Sequence, residues 1–312
     1  MPIDAKKDAV TLFGHVVRCD RCGLGRSANM PRPEEIVGFY DVDAYYTHGE
    51  THMRPVTPGV LDKILVRLAW HADRACPFDC VEIARALPAG GTILDLGCGD
   101  GEKLAAFRDL GFVVLGVDPD PKSRALAASM GLEVLEGTAE APPPAIDGRR
   151  FDLVIMSHSL EHCTDPVHAL RNVRSLMADG GLAYIEVPNA GCLHFETFRQ
   201  CSEMFDAPRH LWFFTPDALQ SIAEQNGLRV VGWRYNGFTR VFTPTWRGWE
   251  CEIFARLAKR GFAATAKRHS IPQSFRLLAR SALARPKRKY DSIGILTSRD
   301  PAHPARPGAT AR

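Results

Sequence analysis

A glycine-rich segment near residue 97 carries residue types suited to holding a nucleoside. Residues 93–101 read ILDLGCGDG, after an apolar run and before a helical pattern. Glycine lets a ligand approach the main chain with no Cβ in the way, and the start of a helix offers free N–H groups. Asp118 ends the next apolar run, where a carboxylate can accept hydrogen bonds from ribose hydroxyls. These residues predict a binding site for a nucleoside cofactor.

The spacing of the glycines separates two classes of cofactor. Nicotinamide enzymes usually carry G-x-G-x-x-G, with a phosphate over the helix. Here an acid, Asp95, stands two residues before the first glycine, Gly97. A carboxylate at the mouth of the site suits a cofactor that has an amino group and no phosphate. A glycine-rich turn that holds no ligand is the alternative.

Four histidines fall in segments that connect predicted strands and helices. His158 and His162 follow the fourth apolar run, His194 follows the fifth, and His210 precedes the next helix. The imidazole pKa suits removal of a proton from an oxygen or nitrogen nucleophile near neutral pH. A hydrogen-bonding role within each loop is the alternative for every one of them.

The elements that position these residues alternate between strand and helix. Strand-like runs cover 92–96, 112–117, 132–136, 151–156, 182–187, 228–235 and 290–299, and helical patterns cover 58–74, 101–110, 121–130 and 165–178. Asp165-Pro166 and Thr215-Pro216 mark helix starts. The alternation predicts a doubly wound α/β fold with a mostly parallel seven-stranded sheet.

The predicted organisation has three parts. Residues 1–57 form a lead-in or lid segment with a CxxC pair, and residues 58–300 form the main domain. A basic helical insertion at about 241–289 precedes the last strand, and the Pro/Ala/Gly-rich tail, 301–312, is predicted to be disordered. The insertion is interpreted as a cap that recognises substrate, with an amphipathic surface for an anionic partner as the alternative.

Taken together, these motifs resemble those of class I S-adenosylmethionine-dependent methyltransferases, in particular the methyltransferase domain 23 group. The resemblance extends through residues 151–170, 180–189 and 208–228, and the lead-in at 22–48 is similar as well. It implies a Rossmann-like fold with an antiparallel last strand, and S-adenosylmethionine as methyl donor. The residues that it assigns to the cofactor are Asp95, Gly97, Cys98, Gly99, Gly101, Asp118, Pro119, Thr138, Ala139, Glu140 and Ser157. The family often has aspartate at the position of Thr138.

Methyl transfer to an activated cofactor mainly requires that the acceptor be positioned for in-line attack. His158 is the first candidate for a general base, because the loop after the fourth strand faces the methyl group in this fold. His162 and His210 are the further candidates. His158, Glu161 and His162 also form H-x-x-E-H, and some related quinone-pathway enzymes hold a divalent ion at this place. The prediction is that no metal is bound, with a zinc-like ion as the alternative.

Two further groups in the sequence have open interpretations. Cys19 and Cys22 form half of a zinc site, which Cys76 and Cys80 would complete only if the fold brought the pairs together; unpaired reduced thiols are the simpler interpretation. The aromatic side chains of Tyr40, Tyr45 and Tyr46 either form part of a lid or pack the lead-in onto the core.

The function predicted from the sequence is methylation of a small-molecule acceptor, directed to oxygen on a sugar, polyketide, quinone-like compound or other secondary metabolite. A tRNA or other macromolecular methyltransferase and a non-catalytic cofactor-binding scaffold are the alternatives. The net charge of +3 does not indicate a nucleic-acid partner, and no apolar run predicts a membrane span. Nine cysteines and a polar start predict a reduced, cytoplasmic protein. The oligomeric state is left open.

Overall fold

A seven-stranded sheet with helices on both faces forms the centre of the computed structural model, which describes residues 3–40 and 52–299. The strands of this sheet are β5 (Thr92–Leu96), β6 (Val113–Asp118), β7 (Val134–Glu136), β8 (Phe151–Ser157), β9 (Met177–Pro188), β11 (Leu228–Asn236) and β12 (Ser292–Arg299). Their order is β11-β12-β9-β8-β5-β6-β7. The predicted doubly wound fold is confirmed.

The last strand is antiparallel, as predicted. Strand β12 lies between β11 and β9 and runs antiparallel to both, whereas β5 to β9 are parallel to one another. From β5 the chain winds outward through β6 and β7, and then returns to β8 on the other side of β5. The carboxyl ends of β5 and β8 therefore flank the point where the strand order reverses, which is where ligands bind in open α/β sheets.

Helices cover the sheet because its strands are apolar on both faces. Leu94 and Val154 belong to a core cluster that includes Leu170 of α6. Ile93 and Ile155, one residue away in each strand, belong to a second cluster with Phe107 of α4 on the opposite face. The helices of this domain are α2 (Val60–Ala72), α3 (Cys80–Ala84), α4 (Glu102–Asp109), α5 (Pro121–Ser129), α6 (Pro166–Leu176), α7 (Leu193–Phe198) and α8 (Pro216–Gln225).

The insertion before β12 folds into three helices with a core of its own. These are α9 (Pro244–Lys259), α10 (Ile271–Ala282) and α11 (Pro286–Lys289). Leu277 and Leu278 of α10 are buried with Leu65 of α2 and Trp249 of α9. The apolar side of α10 is thus used in internal packing, and its two arginines, Arg276 and Arg280, are exposed.

The lead-in contains short strands where the sequence showed only an irregular segment. These are β1 (Ile3–Asp4), β2 (Ala9–Val10), β3 (Val16–Arg18) and β4 (Gly25–Ser27), followed by helix α1 (Pro33–Ile36). Strand β4 pairs with β10 (Trp212–Phe213), so a small sheet joins the lead-in to the main domain. The boundary at residue 57 stays a prediction, and Tyr45, Tyr46 and the tail 301–312 lie outside the described residues.

Two further properties concern the whole of the described chain. Within residues 3–40 and 52–299, no helix is long and apolar enough to cross a membrane. All nine cysteines are free thiols.

Candidate functional site

A crevice of about 330 Å³ opens at the reversal point of the sheet. Its walls come from the ends of β5, β6 and β8, from the segment after β7, and from the lead-in. Of the predicted cofactor residues, those that line it are Gly97, Asp118, Pro119, Thr138, Ala139 and Glu140. A volume in this range is typical of small-molecule sites.

The glycine loop approaches its neighbours too closely for any side chain. Gly97 has φ +81°, and a Cβ there would lie 2.6 Å from the Cβ of Ser159. Gly101 caps α4 at φ +82°, where a Cβ would lie 2.5 Å from Leu132 Cδ1. Both positions combine left-handed backbone with close packing, so the sequence needs glycine at each.

Asp118 is held with its carboxylate toward the glycine loop. Its Oδ2 accepts a hydrogen bond from the Gly99 N–H at 2.8 Å, and its Oδ1 accepts one from the Asp120 N–H at 2.8 Å. Burial raises the pKa of Asp118, and these two amides act against that shift. Each carboxylate oxygen can accept a second hydrogen bond, so both remain available to ribose hydroxyls.

The remaining predicted cofactor residues do not line the crevice with their side chains. Asp95 is buried with its Oδ1 unpartnered, and burial raises its pKa to about 7. The Cys98 thiol points into the core beneath Gly116. The Ser157 hydroxyl donates to Glu186 Oε2 at 3.0 Å. The contact from this loop to the Asp118 carboxylate is made by the main-chain N–H of Gly99.

The segment after β7 is held in place by hydrogen bonds to neighbouring residues. Thr138 Oγ1 accepts a hydrogen bond from the Ala141 N–H at 3.0 Å. Glu140 Oε1 accepts from the Thr164 hydroxyl and from the Asp165 N–H, both at 2.6 Å. Thr138 and Glu140 thus shape the wall of the crevice, while their side-chain oxygens are engaged with the neighbouring chain.

His158 lines the crevice between two carboxylates. Its Nδ1 lies 3.4 Å from Glu161 Oε1 and its Nε2 lies 3.9 Å from Glu186 Oε1. The residue has φ +54°, a strained conformation for a non-glycine residue. Burial disfavours the imidazolium, but Glu161 and Glu186 together raise the pKa of His158 above its ordinary value. Its side chain is 28% exposed, so it is accessible from the crevice.

His162 and His210 approach Glu161 from the other side. The Nδ1 of His162 lies 2.9 Å from the Arg209 carbonyl, and the Nδ1 of His210 lies 2.9 Å from the Met204 carbonyl. A carbonyl only accepts, so each Nδ1 carries a proton. Burial lowers the pKa of both imidazoles to about 4, so both are neutral and their Nε2 atoms are unprotonated.

The cluster of Glu161, His162 and His210 fits a divalent metal ion. Its ligand atoms lie within 4.8 Å of one another, and both Nε2 atoms face Glu161 Oε1, at 4.0 and 3.9 Å. Glu161 is fully buried, and neither oxygen accepts a hydrogen bond from any described residue. An Nδ1–H donated to a carbonyl is the usual support of a metal-binding histidine. A cation would satisfy the carboxylate and both bare nitrogens.

Tyr40 of the lead-in lies at the crevice next to His162. It lines the crevice, and its hydroxyl lies 2.9 Å from His162 Nδ1. The aromatic residues of the lead-in were predicted either to form part of a lid or to pack onto the core. Tyr40 contacts the main domain at His162, and its role as a lid stays a prediction. The Tyr45 and Tyr46 part of that prediction falls outside the described residues.

Other predicted residues lie away from the crevice. His194 lies in the core of the insertion, hydrogen-bonded to Glu250. Cys76 pairs with Tyr235 at the edge of β11, whereas Cys19 and Cys22 lie in the turn between β3 and β4. In the part of the chain that the structure describes, none of these cysteines joins a cluster of metal-ligating side chains.

Several residues at the crevice were not predicted from the sequence. Asp120 and Ser123 at the start of α5 line it, as does Ser159, whose hydroxyl donates to the Leu96 carbonyl at 2.9 Å. Glu186 lies beneath His158 on β9. The DPDP run at 118–121 and a lone acid in the apolar strand IEVP were the signals for Asp120 and Glu186.

Comparison with known proteins agrees with this geometry. The family model for the methyltransferase domain matches residues 70–232. The ubiquinone biosynthesis O-methyltransferase of Ruegeria sp. strain TM1040 is 33% identical over 232 residues, covering 70% of this chain and 89% of that protein. The enzyme of the same name from Ruegeria pomeroyi is 32% identical, covering 73% and 92%.

Solved structures include a SAM-dependent methyltransferase from Archaeoglobus fulgidus, which is 21% identical, with a TM-score of 0.47 over 77% of this chain and 94% of that one. The family match spans the glycine loop, Asp118 and the three histidines at the crevice. This chain therefore belongs to the S-adenosylmethionine-dependent methyltransferases.

Proposed function

We propose that this enzyme transfers the methyl group of S-adenosylmethionine to a hydroxyl oxygen on a small phenol-like or quinol-like acceptor. The observation that carries the proposal is His158, which faces the cofactor crevice between Glu161 and Glu186. The relatives named ubiquinone biosynthesis O-methyltransferase support oxygen on a ring as the target.

In the proposed reaction the acceptor oxygen attacks the methyl carbon in line with the departing sulfur. The O–C bond forms as the S–C bond breaks, which yields S-adenosylhomocysteine, and the hydroxyl proton passes to His158. A phenolic hydroxyl has an ordinary pKa of about 10, so loss of its proton assists the attack at neutral pH. His162 and His210 are neutral and engaged at Nδ1, so their Nε2 atoms suit binding of a cation beside Glu161 better than proton removal.

The proposal includes a divalent cation held by Glu161, His162 and His210. The sequence predicted no metal, with an ion at His158, Glu161 and His162 as the alternative. The bare nitrogens around the Glu161 carboxylate, whose oxygens accept no hydrogen bond from a described residue, support an ion held by His210 in place of His158. When bound, such an ion supplies positive charge that lowers the pKa of a nearby hydroxyl. Two imidazoles and one carboxylate suit a borderline ion such as Zn²⁺ better than Mg²⁺.

The insertion is placed to contribute to acceptor selection. A second cavity, of about 810 Å³, is lined by Leu257, Phe262 and Thr265 of the insertion together with Phe195 and Phe213. Its aromatic lining suits a ring-bearing molecule. Because, among the described residues, it shares no lining residue with the crevice that contains His158, we assign it to the distal part of the acceptor, with the reacting hydroxyl in the crevice. This keeps the substrate-recognition role predicted for the insertion.

The direct test supplies purified enzyme and S-adenosylmethionine with a panel of catechols, other phenols, sugars and tRNA. Formation of S-adenosylhomocysteine is followed by a coupled assay, and the methylated product is identified by mass spectrometry. Turnover of a phenol or catechol at oxygen supports the proposal. If methyl label from the cofactor is retained only in tRNA and this transfer is lost at high salt, the macromolecular alternative replaces the proposed function. Cofactor binding without turnover of any acceptor would favour the scaffold.

The metal is tested with protein that carries no histidine tag. Metal content is measured by mass spectrometry for wild type and Glu161→Gln, with Glu133→Gln as an exposed control. We expect Glu161→Gln to lose about one equivalent of metal and roughly 100-fold in kcat, a typical cost for one catalytic electrostatic group. Full activity of chelator-treated protein that holds no metal would contradict this part of the proposal.

A further inference from the structure

A second cluster of metal-ligating side chains lies in the core of the insertion. His194 at the start of α7, Glu250 in the middle of α9 and His269 just before α10 meet there from distant parts of the sequence. Their relative exposures are 3%, 0% and 7%. Both imidazoles direct Nε2 at the same oxygen, Glu250 Oε2, at 3.0 and 2.5 Å. All three ligand atoms lie within 4.8 Å of one another.

The other oxygen of this carboxylate is already occupied. Glu250 Oε1 accepts hydrogen bonds from the Trp246 indole N–H at 2.9 Å and from the Glu203 N–H at 3.0 Å. These contacts fix the plane of the carboxylate and leave Oε2 turned toward the two imidazoles. Ordering of a ligand by its neighbours in this way is a regular feature of protein metal sites.

The carboxylate of Glu250 is fully buried. Among the described residues, no lysine or arginine forms an ion pair with it, and only the imidazoles of His194 and His269 lie within ion-pair distance. A buried carboxylate needs a compensating positive charge, which a bound cation would supply.

We infer that His194, Glu250 and His269 form a binding site for a divalent ion of the zinc class, separate from the Glu161 cluster at the crevice. The set of two histidines and one glutamate is a recurring zinc ligand set. Because the three ligands come from α7, α9 and the segment before α10, the ion ties the inserted helices to the helix that follows β9. Phe195 of α7 lines the 810 Å³ cavity, so the same ion fixes one of its walls.

The test compares zinc content in tag-free wild type, Glu250→Gln and Glu161→Gln, all produced in zinc-supplemented medium. We expect Glu250→Gln to hold one equivalent of zinc less than wild type. Glu161→Gln should keep the equivalent of zinc that Glu250→Gln loses. Cobalt loaded into the Glu161→Gln protein should give the visible absorption of a tetrahedral site. This absorption should be absent from the variant that carries both Glu161→Gln and Glu250→Gln. This readout does not depend on methyl transfer, so it stands or falls separately from the proposed function.

A second measurement covers the case in which Glu250→Gln fails to fold. Zinc is removed from Glu161→Gln protein, and the melting temperature is followed as Zn²⁺ alone is added back. We expect a rise of roughly 5 °C or more, because an ion that binds only the folded state stabilises it. Magnesium serves as the comparison and should produce no shift. No zinc in the Glu161→Gln protein and no shift on its addition would overturn the inference, as would equal zinc in Glu250→Gln and wild type.

Discussion

His158 is the residue whose surroundings bear most directly on chemistry. A positive φ turns its ring toward the crevice, and carboxylates lie near both of its nitrogens. The same carboxylates that make it a good acceptor of a proton also keep it protonated to a higher pH than an isolated histidine. The pH dependence of the reaction should report this balance.

For proton removal by His158, we expect kcat/KM to rise with increasing pH as the imidazole loses its proton, because the neutral imidazole is the active form. Glu186→Gln removes one of the charges that raise the pKa of His158, so its rise in kcat/KM should occur at lower pH. His158→Gln should lose at least about 100-fold in kcat and lose the pH dependence. Rates are measured from pH 5.5 to 9. An unchanged profile in His158→Gln would assign the base elsewhere.

Substitution of Asp118 tests whether this carboxylate binds the ribose of the cofactor. Asp118→Ala removes a charged acceptor for the ribose hydroxyls and releases the Gly99 and Asp120 amides that now bind it. Hydrogen bonds to charged groups contribute about 1.5–3 kcal/mol each, so we expect at least a 10-fold rise in the Kd for S-adenosylmethionine by calorimetry. Asp109→Asn, an exposed aspartate on α4, is the control. Equal affinity of Asp118→Ala and wild type would contradict the placement of the ribose.

At the scale of elements, a buried ion network joins the lead-in to the segment that carries His210. Arg209 is fully buried, and it donates to Asp4 at 2.7 Å and to Asp206 at 2.9 Å. Lys6 adds ion pairs to Glu203 and Asp206. The Arg209 carbonyl accepts the hydrogen bond from His162, so the network reaches the cluster that His162 forms with Glu161 and His210. Strand pairing of β4 with β10 supports the same attachment.

Removal of Arg209 should destabilise the enzyme strongly. Arg209→Leu leaves Asp4 and Asp206 as buried charges, and breaking a buried pair in this way costs about 3–5 kcal/mol. The free energy of unfolding is measured by urea denaturation at pH 7, with the exposed Arg171→Leu as control. A loss below about 1 kcal/mol would show that the network contributes little.

The network also sets an acid limit on stability. Burial acts to raise the pKa of Asp206, but Arg209 and Lys6 hold it well below the ordinary value. A lowered pKa in the folded state stabilises the protein above the unfolded value near 3.8, and this contribution is lost as pH falls below it. The stability of wild type should therefore fall between pH 5 and pH 3 more steeply than that of Asp206→Asn.

For the whole molecule, the crevice lies between the lead-in and the sheet, so a bound cofactor would contact both. The crevice is lined both by Tyr40 and by residues at the ends of β5 and β6. S-adenosylhomocysteine at 100 times its Kd stabilises the folded state by about 2.7 kcal/mol, so we expect the melting temperature to rise by roughly 5 °C. NAD at equal concentration is the control, since its pyrophosphate does not suit this loop. A shift with NAD and none with S-adenosylhomocysteine would reject the cofactor assignment.

Much of the fold followed from the sequence because local patterns suffice for it. Apolar runs separated by helical patterns predicted the strands, and proline after a capping residue marked the starts of α6 and α8. The glycine loop and Asp118 needed only their position after a strand to be assigned to one crevice. The lead-in was harder, since β3 and β4 are short and are stabilised by pairing with β10 about 185 residues away in sequence.

The sequence by itself thus determined the sheet, the cofactor crevice and the family, because periodicity and glycine spacing are local properties. Only the tertiary structure decided which side chains meet. His162 and His210 converge on Glu161 across 49 residues, and His194 joins Glu250 and His269 in another core. The two clusters share the same residue types, and nothing in their spacing separates them. Burial, hydrogen-bond partners and charge balance are properties of the assembled chain, and they distinguish a histidine at the crevice from one inside the insertion.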